Sequence, residues 1–96
     1  MTGAKIRQLR ELLAFDQYTF ARLLGVNLST VFRWEAFAKH SVNFTGLTNS
    51  VLELIEKAFT SRRDVREQVI RDSVRNALNM RGPCAAIAAL YKYGWP

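Results

Sequence analysis

The side chains best suited to specific chemistry lie together at the start of one predicted helix. Asn27 is followed by residues 28–30, Leu-Ser-Thr, and Arg33 comes one turn later. Small polar residues cap helix N-termini, and the same side chains also hydrogen-bond to ligands. The arginine guanidinium is a planar fork of donors that can meet two acceptors at once. This segment is therefore suited to polar recognition rather than to covalent chemistry.

Groups that could catalyse a reaction or hold a metal are scattered along the chain. His40 is the single histidine and has no second ligand at a spacing typical of metal sites. Cys84 lies in an alanine-rich segment, where we expect it to pack rather than to react. Because no nucleophile, base or metal constellation is present, the sequence predicts no enzymatic activity and no cofactor.

Length and charge narrow the classes of partner. The 96 residues are 49% hydrophobic, which is typical of one globular domain, and the net charge is +6, carried mostly by arginine. An excess of positive charge favours a polyanion, nucleic acid before membrane, although a basic protein without such a partner is the alternative. The apolar runs are too short to span a bilayer, the N-terminus lacks the apolar core of a secretory signal, and one cysteine forms no internal disulfide. We therefore expect a cytoplasmic protein.

Hydrophobic periodicity predicts an all-α fold. Helices are expected over residues 5–13, 17–24 and 28–37, with Asp16 and Asn27 as N-caps and Gly25 ending the second helix. Val31 is expected to point inward.

The second half of the chain shows the same periodicity. Residues 38–46 have no clear period, and a fourth helix is expected to be capped by Thr48 or Asn49. A fifth helix is predicted over residues 62–79 with Val69 facing inward, and a sixth over 84–91. Gly94 to Pro96 is expected to form a tail.

Several of these residues stand together at a spacing known from one family. The segment 5–59 resembles the Cro and phage-repressor helix-turn-helix family, the xenobiotic-response-element type. The residues that carry the resemblance are Gln17, Ala21, Gly25-Val26, Ser29-Thr-Val31 and Arg33-Trp-Glu35. The resemblance implies a lambda-repressor-like bundle of about five helices over residues 1–61, followed by a C-terminal helical extension over 62–96.

The resemblance also implies roles for individual residues. Gln17 would bind a DNA phosphate or support the recognition helix, and Leu28, Ser29 and Arg33 would meet base edges. Arg10 and Glu35 would form a partly buried salt bridge between the first and third helices. The remaining positions expected to contact DNA are Asn27, Thr30, Lys39 and Asn43.

Some of these positions keep alternative interpretations. Arg33 is alternatively a solvated surface residue, and Ser29 only the polar start of a helix. Leu28 is apolar where the family often has a charged or amide side chain, so it could touch only a thymine methyl. Phe32 could belong to the core, to a methyl-reading contact or to a partner surface. Trp34 is expected in the core.

The C-terminal extension is predicted to mediate homodimerisation, with the monomer's own core as the alternative. The resemblance thus implies a dimeric regulator that binds an inverted repeat in double-stranded DNA and represses a bacterial or phage promoter, with no membrane partner. The alternative function is an antitoxin-like or adaptor protein that binds a protein partner, such as a toxin, through these helices. The expected interface residues are Ile87, Leu90, Tyr91, Tyr93 and Trp95.

Overall fold

The structure is a computed structural model that describes residues 2–36, 39, 46–60 and 67–94. Every element in these residues is an α-helix, which confirms the all-α prediction. In chain order the helices are α1 (Gly3–Leu12), α2 (Gln17–Leu24), α3 (Leu28–Ala36), α4 (Gly46–Thr60), α5 (Glu67–Arg81) and α6 (Pro83–Gly94).

Several helix boundaries differ by a few residues from those expected, those of α4 and α6 among them. α4 begins at Gly46, so Thr48 lies within its first turn, where it is buried, instead of capping it. α6 is longer than predicted and runs from Pro83 to Gly94. Proline suits a first helical position because its fixed φ is helical and its missing N–H has no partner there. Gly82 separates α6 from α5 with φ +100°, and its N–H donates to the Ala77 and Leu78 carbonyls.

All the helices contribute to a single hydrophobic core. On α5 the buried side chains are Ile70, Val74 and Leu78, which recur every four residues. Val69 lies one position off this stripe and is 45% exposed, so the expectation that it faces inward was wrong. The largest fully buried side chains come from all six helices and from the residue that follows α1: Ile6, Leu9, Leu13, Phe20, Leu23, Val31, Leu52, Ile55, Val74, Leu78 and Leu90.

α6 packs against both α4 and α5, and this placement corrects part of the predicted dimer interface. Leu90 is fully buried and Tyr93 is 9% exposed, both within the chain itself. The Tyr93 hydroxyl also lies 3.1 Å from Ser73 Oγ on α5. Ala86, Leu90 and Tyr93 share one helical face, which covers the chain's own core and is not available to a second copy.

Two arginines of α5 hold the connection between α1 and α2. Arg71 Nε donates to the Leu12 carbonyl, and Arg75 Nη2 donates to the Ala14 carbonyl at 2.6 Å. The Arg75 guanidinium also lies 5.5 Å from the centre of the Phe15 ring. Ala14 has φ +55°, a left-handed conformation that costs energy for a residue with a Cβ. The C-terminal extension therefore stabilises a strained turn next to the start of α2.

Candidate nucleic-acid interface

Local hydrogen bonds define both ends of α2. The Asp16 side chain accepts from the Thr19 backbone N–H at 2.7 Å, as an N-cap does. A hydrogen bond from the Thr19 side chain, then this backbone bond, and after them the nearby charges of Arg10 and Arg75 lower the pKa of the Asp16 carboxyl. At the other end Gly25 has φ +71°, and nothing lies within 4 Å of an added Cβ. Glycine is thus favoured there by backbone conformation rather than by crowding.

Residues 25–27 connect α2 directly to α3. Val26 N–H donates to the Ala21 carbonyl at 3.0 Å, and its side chain packs against the core. The Asn27 carbonyl accepts from the backbone N–H groups of Thr30 and Val31. These bonds fix where α3 begins and how it leaves α2.

α3 has one buried face and one exposed face. Val31 is fully buried, while Trp34 is half-buried and packs against the core. On the opposite side Ser29, Phe32, Arg33 and Ala36 are exposed, and we call these four residues the outer face of α3. The outer face is therefore available to a ligand.

A salt bridge fixes the orientation of α3 relative to α1. Arg10 donates to both Glu35 carboxylate oxygens, from Nε and from Nη2, at 2.9 Å each. Its Nη1 donates to the Phe15 carbonyl at 2.9 Å. The two side chains are only 15% and 7% exposed, so solvent screens the pair weakly. The ion pair predicted between Arg10 and Glu35 is present, and it ties together α1, α3 and the start of α2.

Two exposed arginines beside the site have no carboxylate partner among the residues that the structure describes. Within the described residues, no carboxylate pairs with Arg33 on α3 or with Arg22 on α2. By contrast Arg7, Arg10 and Arg71 each pair with a glutamate. Arg33 can therefore meet an anion or a hydrogen-bond acceptor without first breaking an ion pair.

The remaining residues predicted to contact DNA fall into three groups. Asn27 and Lys39 are exposed, whereas Gln17 at the first position of α2 is half-buried. Leu28 and Thr30 are also half-buried, at the edge between the two faces of α3. Asn43 lies outside the described residues, as do His40, Trp95 and the three arginines of 62–66.

Sequence reasoning missed several residues near this site. Tyr18, 59% exposed, and Arg22 lie four residues apart on the exposed side of α2. The helical period of α2 could have placed both, because its apolar residues define the opposite face. No comparable signal marked Arg71 and Arg75, whose carbonyl partners are about sixty residues away in sequence.

Side chains able to bind a metal are scattered in the described part of the chain. That part contains no cluster of three histidine, cysteine or carboxylate side chains able to hold a metal ion. Cys84 is exposed at the start of α6, so the expectation that it packs was wrong. Among the described helices none is long and apolar enough to cross a membrane.

Comparison with protein-family models, curated proteins and solved structures finds no match.

Proposed function

We propose that the chain is a sequence-specific DNA-binding transcriptional regulator, with α2 and α3 as a lambda-repressor-like helix-turn-helix and α3 as the recognition helix. The proposal is supported above all by the outer face of α3, where Arg33 and Ser29 are exposed on a helix anchored from behind. Such a helix fits the major groove, whose base edges are read by hydrogen bonds from side chains. Bidentate pairing of arginine with guanine is the commonest specific contact of this kind.

The fixed position of α3 and the net charge of the chain also support the proposal. The buried pair of Arg10 and Glu35 holds α3 rigidly, which limits the entropy lost when the helix docks. The net charge of +6 attracts the duplex through its phosphates. Gln17, Asn27 and Lys39 are assigned to phosphates or to the edge of the groove, Leu28 to a base edge, and Thr30 to a backbone contact. A protein of this kind acts in the cytoplasm on a bacterial or phage promoter.

Dimerisation is part of the proposal, because one helix-turn-helix reads only a short half-site and a two-fold pair reads two. Of the interface residues expected from sequence, Tyr91 is 48% exposed and Ile87 is half-buried against the core. Sedimentation equilibrium of the full chain tests this point, with a dimer expected. A wild-type chain that stays monomeric at DNA-binding concentrations contradicts it.

The function is tested by selecting binding sites from a random double-stranded DNA library with the full chain. We expect enrichment of an inverted repeat with half-sites about one helical turn apart. We also expect a gel shift on the DNA upstream of the chain's own gene, weakening steeply as salt rises. Failure to enrich any sequence contradicts the proposal.

A second candidate function is favoured by one feature of the extension. A surface groove of about 490 Å³ lies between α5 and α6. Small apolar side chains form much of its lining, with Met80, Arg81 and Lys92 also present. A protein partner with a matching acidic helix could dock there, as an adaptor or antitoxin-like role requires. Ala88→Arg would block such docking and leave DNA binding by α3 intact.

A further inference from the structure

Phe32 is the one large apolar side chain on the outer face of α3. It is 51% exposed, so it does not belong to the core. Its neighbours on that face, three residues before and four after, are Ser29 and Ala36, both of them small. The ring is therefore the largest apolar group that the outer face of α3 offers to another surface.

The surroundings of Phe32 favour DNA over protein as that surface. The next residue, Arg33, is exposed and has no carboxylate partner within the described residues. A contact that covers Phe32 therefore also covers a cation and the Ser29 hydroxyl. A major groove supplies acceptors for both, whereas an apolar protein surface would leave them unsatisfied.

Phe32 cannot hydrogen-bond, so it can distinguish bases only through apolar contact. The C5-methyl group of thymine is the apolar feature that the major groove displays. A 5-methylcytosine carries the same group at the same ring position. Phe32 and Arg33 are adjacent on one helix, so their targets lie within one or two base pairs of each other.

We propose that Phe32 reads the C5-methyl group of a pyrimidine beside the base contacted by Arg33. The inference rests on the proposed function. It adds that the operator contains a required thymine, or a methylated cytosine, next to the arginine-read position. Phe32 is then a specificity-determining residue, whereas phosphate contacts only position the protein.

The experiment uses a duplex that the full chain selects from a random library. Each thymine is replaced in turn by deoxyuridine, which removes only the methyl group, and binding is measured for the wild type and for Phe32→Ala. At one or two positions the wild type should lose about fourfold in affinity, the value for burial of one methyl-sized group. Phe32→Ala should bind the duplex with thymine and the duplex with deoxyuridine at those positions equally. Cytosine and 5-methylcytosine placed at the same positions then separate thymine from methylated cytosine as the source of the methyl group.

Two further variants control for poor folding of Phe32→Ala and for the loss of an exposed aromatic residue elsewhere. Phe32→Leu retains apolar contact and should keep part of the discrimination, which matters if Phe32→Ala folds poorly. Tyr18→Ala removes the other large exposed aromatic near the site and should leave the discrimination unchanged.

Three outcomes overturn the inference. In one, the selected duplex is bound specifically but deoxyuridine has no effect at any position. In the next, Phe32→Ala shows the same loss as the wild type, which assigns the methyl contact to another residue such as Leu28. In the last, the library yields no specific sequence, and the proposed function fails together with the inference.

Discussion

The α2–α3 pair and the α5–α6 pair are each joined at a glycine with positive φ, yet they expose different chemistry. After Gly25, α3 turns one face to the core and leaves Ser29 and Arg33 exposed. Arg33 has no ion-pair partner within the described residues. After Gly82, α6 packs against α5 and α4 and buries Leu90 and Tyr93. The turn alone therefore does not decide the role of a helix pair. Under the proposed function, the residues exposed on the second helix decide it.

The two pairs also differ in what holds them. α3 is fixed by one buried ion pair to α1, whereas α5 itself acts as a support for the α1–α2 connection through Arg71 and Arg75. This contrast predicts that one buried ion pair positions α3, whereas the connection before α2 is held from the extension.

The largest expected effect follows from breaking the ion pair. Arg10→Ala should lower the free energy of unfolding by about 3 kcal/mol, because Glu35 would remain buried without its partner. Urea denaturation followed by circular dichroism measures the change.

The matched control is Arg7→Ala, which removes the pair with Glu11 on the same helix. Both of those side chains are more than half exposed, so the loss should stay below about 0.5 kcal/mol. Equal losses in the free energy of unfolding for Arg10→Ala and Arg7→Ala would show that the buried pair does not anchor α3.

A smaller effect is expected from the arginines of α5. Replacing both Arg71 and Arg75 by leucine should cost about 2 kcal/mol, since two carbonyls beside the strained Ala14 lose charged donors. Amide hydrogen exchange should accelerate around residues 13–16 before it accelerates in α6.

Arg81→Leu serves as the control, because Arg81 is exposed at the end of α5 and makes no ion pair within the described residues. If the double variant loses no more stability than Arg81→Leu, the extension does not support the start of α2.

The smallest effect concerns the cap of α2. Asp16→Ala should cost about 1 kcal/mol at neutral pH, the usual value for loss of an N-cap. The folded-state pKa of Asp16 is lowered, so its stabilisation is complete above the ordinary carboxyl pKa of about 4. It is lost as the pH falls through the lowered value.

Asp16→Asn separates these two contributions. Asparagine caps a helix about as well as aspartate but does not titrate, so this variant should lose less stability than the wild type as the pH falls below about 4. Thermal melts across that range check the point. An unchanged acid profile would assign the dependence to other carboxylates.

Sequence reasoning was most successful where the relevant interactions are local. The caps at Asp16 and Gly25 and the inward position of Val31 depend on residues within a few positions, and all three were predicted. The pair of Arg10 and Glu35 spans 25 residues and was predicted only because the segment resembles a family.

The errors occur where tertiary packing decides. Periodicity identified the apolar residues of α6 but not whether a second copy or the chain itself covers Leu90 and Tyr93. The position of Val69 at the edge of its stripe, and the reach of Arg75 to Ala14, likewise depend on how helices distant in sequence meet. Helix propensity and hydrophobic periodicity do not show which distant helices pack against each other.

The central claim is that the outer face of α3 reads bases, and Arg33→Ala tests it most directly. Equilibrium binding of wild type and variant is measured by fluorescence anisotropy on the selected duplex and on a scrambled duplex, at one fixed salt concentration. We predict a loss of about 1–3 kcal/mol on the selected duplex and little change on the scrambled one. An equal loss on both duplexes, or no loss on either, would contradict the claim.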